Sequence, residues 1–236
     1  MSIPRLHFDG HAQMRSVLNE HGLLRVCGVP LDRDNRSLRE IGKCLGRVST
    51  RGQPVRSGGV EAGAVVRVET LTSQPRDQFG KRLISASALA FPLHTDESFC
   101  AIPARWVLLH CWRHDPDGGE STFARVDELA AALNTRRFEQ QFTLPYPIGD
   151  RPLIGANSML RFNAAEVEGE IAMRRRLPSQ EERQLMERVD SIFNAHAIRF
   201  RLAPGDLLVI DNHRVAHGRS AFDPLSGRLL KRLRVE

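Results

Sequence analysis

Residues 197–235 constrain the fold most strongly. Four short runs follow one another there with only brief turns between them: AIRFRLA, DLLVIDN, RVAHGRSAF and RLLKRLRV. Successive side chains of a strand point to opposite faces, so a chain built of many such runs buries its apolar faces between or beneath sheets. The same rhythm runs through GAVVRVET, RWVLLHCW and STFARV, and LLRVCGVP reads as a strand stopped by proline. Helical spacing is confined to a few segments. Met14, Val17 and Leu18 share a face that ends at Gly22, and Asp34 is expected to cap a helix carrying Leu38, Ile41 and Leu45, closed by Gly46. Asp127 is expected to cap a third helix with Leu129, Leu133 and Phe138. Ser179 with Glu182 forms a capping box ahead of Leu185, Val189, Ile192 and Phe193. The expected class is mainly β with helical additions: a double-stranded β-helix, or jelly roll. No repeat, low-complexity tract or long linker divides the chain, so residues 1–236 are expected to form one domain.

Composition then removes several function classes. With 41% hydrophobic and 26% charged residues the chain lies in the ordinary globular range. No apolar run approaches the length of a membrane span, and MSIPRLHFDG lacks a basic segment followed by an apolar one, so neither a membrane role nor a secretory signal is expected. The cysteines Cys27, Cys44, Cys100 and Cys111 form no CxxC pair, which fits reduced thiols in a cytoplasm. The net charge of +6 invites a nucleic-acid reading. However, the basic residues are scattered arginines, with only Lys43, Lys81 and Lys231 as lysines, and Tyr146 is the only tyrosine available for base stacking. Anionic small molecules fit this pattern better than nucleic acid.

The chemistry lies among the nine histidines. About 0.5 His-x-Asp matches are expected by chance in this composition, so a single match says little. Two occur, His7–Phe8–Asp9 and His94–Thr95–Asp96, and the pairs His110/His114 and His213/His217 add HxxxH spacings. Asp9 sits just before a helix and is explained as a cap. His110 falls in WVLLHCW, a run that reads as a buried strand. His94 and Asp96 are different in their company. Residues two apart on a strand face the same side, so the two can offer an imidazole and a carboxylate to one metal. A tight turn, DGGEST, follows, and then PGDLLVIDNHRVAHGRSAF brings further histidines. Two histidines and one carboxylate on one face of an iron leave three positions open, the arrangement used by non-haem Fe(II) oxygenases. A zinc hydrolase is the weaker metal reading, because no general base stands out nearby.

The blocks PLHTDESF, GGESTFA and PGDLLVIDNHRVAHGRSAF…GRLLKR resemble the taurine dioxygenase and clavaminate synthase-like family of Fe(II)/2-oxoglutarate dioxygenases, from about Leu93 to the C-terminus. The resemblance implies a metal site of His94, Asp96 and His217, the distal ligand being the histidine followed by Gly-Arg rather than His213. It implies that Arg228 anchors the far carboxylate of 2-oxoglutarate, assisted by Ser121 or alternatively Thr122. It also implies that Arg232 meets the substrate. Fe(II) would be the cofactor, with 2-oxoglutarate and O₂ as cosubstrates and succinate and CO₂ released. The expected activity is hydroxylation of an unactivated C–H bond in a small acidic or amino-acid-like substrate, free or tethered to a carrier protein. The alternative is a non-catalytic jelly roll that binds 2-oxoglutarate. The chain is short between the GGES strand and the distal histidine, so the insertions that would cover a substrate are reduced.

Spacing adds an expectation of its own. If RVAHGRSA and RLLKRLRV form an antiparallel hairpin around residues 222–227, pairing Ala221 with Arg228 sets His217 opposite Arg232. Arg228 and Arg232 then share a face about 13 Å apart, a diacid's length. Of the remaining residues, Arg161 is expected to be an exposed strand residue. Arg219 is either a structural hydrogen-bonder or a substrate contact. Trp106, Trp112 and Cys111 are expected in the core.

Overall fold

The computed structural model of the chain describes residues 3–50, 60–61, 64–71, 84–133, 143–147, 149–155 and 159–236. Two β-sheets face each other. The larger contains β1 (Arg5–His7), β2 (Leu23–Cys27), β3 (Val60–Glu61), β4 (Val65–Glu69), β6 (Trp106–Arg113), β11 (Leu207–Asp211) and β13 (Leu229–Val235), in the order β1-β2-β11-β6-β13-β4-β3. The smaller contains β5 (Phe91–His94), β7 (Ser121–Arg125), β10 (Ile198–Phe200) and β12 (Val215–Arg219), in the order β10-β7-β12-β5. A separate two-stranded ribbon pairs β8 (Thr143–Leu144) with β9 (Arg151–Pro152). This is the jelly-roll architecture that the strand rhythm predicts.

Each sheet is covered on its outer face by helices, which explains why its central strands read as nearly continuous apolar runs. On β6, Trp106 and Leu108 face α1 (Met14–His21) and α2 (Arg36–Leu45), where Leu18, Leu38, Ile41 and Leu45 are buried. The alternate residues Val107 and Cys111 face inward with Leu208, Ile210 and Leu230, against Phe123 and Val215 of the small sheet. Beneath the small sheet, Leu93, Ala124 and Ala216 pack on α3 (Val126–Leu133), α4 (Ala164–Met173) and α5 (Gln180–His196). Among the described residues no helix is long and apolar enough to cross a membrane.

Local signals account for most helix ends. Gly22 ends α1 in a left-handed conformation, φ 71°, and its N–H donates to the Leu18 carbonyl. The Ser179–Glu182 capping box starts α5 as expected, with Glu182 N–H on Ser179 Oγ at 3.1 Å and Ser179 N–H on the Glu182 carboxylate at 2.8 Å. Two starts differ from expectation. The N-cap of α2 is Asn35, not Asp34; Asn35 is left-handed, and Asp32 Oδ2 accepts from Ser37 N–H at 2.7 Å while Asp34 accepts from Arg36 N–H at 3.2 Å. In α3, Asp127 lies inside the first turn, because the helix begins at Val126; Phe138 lies outside the described residues.

The larger correction concerns β12 and β13, which form no hairpin. β12 pairs with β5 and β7, whereas β13 pairs with β4 and β6, so the chain leaves one sheet and enters the other between residues 219 and 229. His217 and Arg232 therefore approach across the space between sheets rather than side by side within one.

Candidate metal centre

His94 ends β5 and His217 lies mid-β12, paired in register on adjacent antiparallel strands. Such partners project to the same face. Their rings lie 4.5 Å apart at 47°. Asp96 follows β5 by two residues, and its Oδ1 is 3.6 Å from His94 Nε2 and 3.5 Å from His217 Nε2. One ligand atom from each of the three residues lies within 4.8 Å of the other two, and all three residues are buried.

The supporting contacts set which atoms face inward. His94 Nδ1 is 2.9 Å from the Pro92 carbonyl; a carbonyl only accepts, so Nδ1 carries the proton and Nε2 keeps its lone pair for the centre. Phe91 stacks on the same ring with centroids 3.9 Å apart. Asn212, between β11 and β12, grips the Asp96 peptide from both sides: its Oδ1 accepts from Asp96 N–H at 2.7 Å and its Nδ2 donates to the Asp96 carbonyl at 2.9 Å. Arg161 is buried, contrary to expectation. It donates to the carbonyls of Ser98, Cys100 and Ala101 and so fixes the turn that follows Asp96.

Charge is arranged to suit a cation. Burial alone would raise the Asp96 carboxyl, but the Arg232 and Arg234 guanidiniums, together with the two histidines, hold it well below the usual range. Burial, then the neighbouring His94, pushes His217 down to about 4, so it is neutral at ordinary pH. Imidazole and carboxylate together are a donor set that a divalent first-row metal takes. Among the described residues His217 Nδ1, which is buried, has no hydrogen-bond partner.

Beside this triad an open cavity holds ≈ 470 Å³ of atom-free space, lined by His94, Ser121, His217, Arg219, Arg228 and Arg232 among others. Arg228 immediately precedes β13, its Nη2 3.4 Å from the Gly119 carbonyl and its guanidinium over the Phe222 ring at 5.0 Å. Gly119 has to be glycine here. Its φ is +66°, and a Cβ would meet Arg228 Nε at 2.6 Å. Arg219 is tied to the carbonyls of Ile84 and Ser87, and burial followed by the Arg228 charge pushes it down to about 9. The structural reading of Arg219 therefore holds, although the residue also lines the cavity.

The other histidines stay apart from the triad. His110 is buried on β6 with Nε2 3.3 Å from the Val29 carbonyl, His114 is exposed, and His213 meets the Pro103 carbonyl at 3.1 Å. Trp106 is a core residue; Trp112 is half-buried beneath Lys231, whose Nζ lies 3.6 Å from the ring centroid. Sequence reasoning missed Asn212, Glu97 and Arg234. All three owe their place to partners distant in sequence.

Comparison with known proteins agrees with this geometry. An L-lysine 3-hydroxylase from Catenulispora acidiphila is 29% identical over 160 residues, 58% of this chain and 42% of that one. A gamma-butyrobetaine dioxygenase from Pseudomonas sp. strain AK-1 is 31% identical over 164 residues, 60% of this chain and 42% of the relative. The matched stretch thus spans less than half the length of either. Among solved structures, an asparagine oxygenase in complex with Fe(II), 3-hydroxyasparagine and succinate superposes with a TM-score of 0.71 at 19% identity, covering 97% of this chain and 78% of that one, which bears on the fold. Residues 2–234, nearly the whole chain and every residue of the triad, match the taurine catabolism dioxygenase TauD, TfdA family, and the chain belongs to that family.

Proposed function

We propose that this protein is an Fe(II)/2-oxoglutarate-dependent oxygenase that hydroxylates an unactivated C–H bond of a small acidic or amino-acid-like substrate. In this reading residues 1–236 work as one oxygenase domain. The observation that carries it is the convergence of His94, Asp96 and His217 beside a cavity that also contains a buried guanidinium and a buried hydroxyl, Arg228 and Ser121. A bound Fe(II) would supply activation of O₂, with 2-oxoglutarate oxidised to succinate and CO₂ as one oxygen atom enters the substrate. His94, Asp96 and His217 would hold the metal. Arg228 would receive the far carboxylate of 2-oxoglutarate as a charge-assisted pair, with Ser121 donating a further hydrogen bond. The apolar walls Val68, Leu109 and Leu230 would exclude water.

An acidic substrate, an amino acid among them, is supported by Arg232, which lines the cavity and whose buried Nε has no hydrogen-bond partner among the described residues. An unsatisfied buried polar group costs about 1–3 kcal/mol. A substrate carboxylate would relieve it, with Arg232 as the acid contact. A substrate tethered to a carrier protein through its carboxyl would need a second acid group to make this contact.

The test is anaerobic titration with Fe(II) and 2-oxoglutarate, then admission of O₂ with a panel of amino acids and their amides. Substrate-dependent succinate, with acids favoured over amides, supports the proposal. Binding of 2-oxoglutarate without any coupled succinate would point to a non-catalytic jelly roll. Equal turnover of acid and amide would remove Arg232 as the acid contact.

A further inference from the structure

The two oxygens of Asp96 have different neighbours. Oδ1 faces the two imidazoles, at 3.6 Å and 3.5 Å. Oδ2 accepts a hydrogen bond from Arg234 Nε at 2.8 Å. Arg232 Nη1 reaches both oxygens, 3.1 Å from Oδ2 and 3.5 Å from Oδ1, whereas the Arg234 hydrogen bond falls on Oδ2. Arg234 is itself held. It alternates along β13 with Leu233 and Val235, which pack on the helix side, and so its side chain is directed between the sheets. It is 8% exposed, and its Nη1 lies 3.5 Å from Glu97 Oε1. Glu97 in turn accepts from Ala104 N–H at 3.0 Å.

A carboxylate can bind a metal through one oxygen or two. On a six-coordinate ion, two histidines and a one-oxygen carboxylate leave three positions open. A two-oxygen carboxylate leaves two, which a chelating 2-oxoacid alone would fill. We propose that Arg234 is a positioning residue that keeps Asp96 one-oxygen in its ligation, by holding Oδ2 away from the metal. The inference rests on the reading of the triad as a metal centre. Arg232 and Arg234 also differ in consequence: Arg232 lines the cavity, whereas Arg234 stands behind the carboxylate and acts on the metal only through it.

Co(II) and oxalate test this without turnover. Oxalate chelates through two oxygens and has no distal carboxylate, so on the loaded protein it leaves the third open position to be read by a one-atom ligand such as azide. The wild-type protein is expected to bind Co(II), the loaded protein to bind oxalate, and the Co(II)–oxalate protein to bind azide. Arg234→Met should still bind Co(II) and oxalate, with an altered visible Co(II) spectrum, and azide affinity of its oxalate-loaded form should fall about tenfold or more, the size of one displaced ligand contact, while azide binding without oxalate survives. Arg234→Lys should recover most of that loss. An unchanged spectrum and unchanged azide affinity of oxalate-loaded Arg234→Met would overturn the proposal. Should Arg234→Met fail to fold, a crystal structure of the Co(II)-loaded wild type decides. One Asp96 oxygen on the metal with Oδ2 still on Arg234 supports the clamp; both oxygens on the metal, or Oδ2 released from Arg234, refutes it. Failure of the wild type to bind Co(II) at all would instead overturn the metal-centre reading, and the clamp with it.

Discussion

His217 is the cross-strand partner of His94, and this single pairing places two imidazoles from distant parts of the sequence 4.5 Å apart. Because side chains alternate along a strand, a one-residue slip between β5 and β12 would turn one ring to the helix-covered face. The pairing is irregular just beyond the site, with a register shift between His217 and Arg219, and Gly218 occupies that irregularity. Asp96 lies outside the ladder and depends instead on Asn212 for its backbone position.

Substitution of the ligands should therefore separate sharply from substitution of the other histidines. His94→Ala or His217→Ala removes one of three protein donors and is expected to lower metal affinity more than about 100-fold, beyond the effect usual for a supporting partner. His110→Ala and His213→Ala should keep metal stoichiometry. Titration of the metal-free proteins with Co(II), followed by visible absorbance, measures this. Full occupancy in His94→Ala would contradict the assignment.

Arg228 is the next test. Its guanidinium is buried, and burial is the main cause of its lowered pKa. An incoming carboxylate would gain a charge-assisted partner in a dry setting, so Arg228→Ala should weaken 2-oxoglutarate binding about 10- to 100-fold. Ser121→Ala should weaken it only a few-fold. Calorimetric titration of the metal-loaded variants with 2-oxoglutarate is the measurement. If Arg232→Ala proved the more damaging of the two arginine changes, their roles would be exchanged.

The contrast between Arg228 and Arg234 shows what a sequence can reveal. His94, Asp96, the Gly118–Gly119 turn and His217 stand in short local patterns, each with a physical reason visible in a few residues. Arg234 has none: it is one arginine among many, near the end of the chain, and its role exists only because β13 returns beneath Asp96 in the other sheet. The burial of Arg161 is likewise absent from local pattern, since its partners are carbonyls of the turn after Asp96. The absent β12–β13 hairpin has the same origin. A short connection between two strand-like runs is compatible with pairing inside one sheet or with passage from one sheet to the other, and alternation alone does not distinguish them.

Glu166 gives the metal-free protein a pH signature. Burial, together with the Asp96 and Glu97 charges, pushes its carboxyl up to about 8. A folded-state pKa above the unfolded value means that the folded chain holds the extra proton, so this group makes stability fall as pH rises from about 4.5 to about 8. His217 acts oppositely between about 4 and 6.5, because its folded pKa is depressed. Above pH 6.5 the Glu166 slope is free of that opposition. Urea unfolding in chelator is expected to show Glu166→Gln gaining on the wild type by about 2 kcal/mol between pH 6.5 and 8. Parallel stability profiles would show that Glu166 is already ionised.

Two glycines make a matched test of how tightly the centre is packed. At Gly218, next to His217, an added Cβ would lie 2.6 Å from the Phe91 carbonyl oxygen and 2.8 Å from Thr122 Oγ1, with Leu93 N at 3.1 Å. Backbone cannot yield as a flexible side chain does, so Gly218→Ala must push β5 away from β12. Overpacking of this kind costs about 1–3 kcal/mol. The displaced strand is the one that ends in His94, so stability and Co(II) affinity should fall together. Gly169 lies in α4, where an added Cβ meets nothing within 4 Å among the described residues, and its φ is not in the left-handed region. Gly169→Ala should therefore stabilise by about 0.5–1 kcal/mol through helix propensity and a less flexible unfolded chain, with Co(II) affinity unchanged. Equal metal affinity in Gly218→Ala and the wild type would mean that the β5–β12 spacing does not set the distance between His94 and His217.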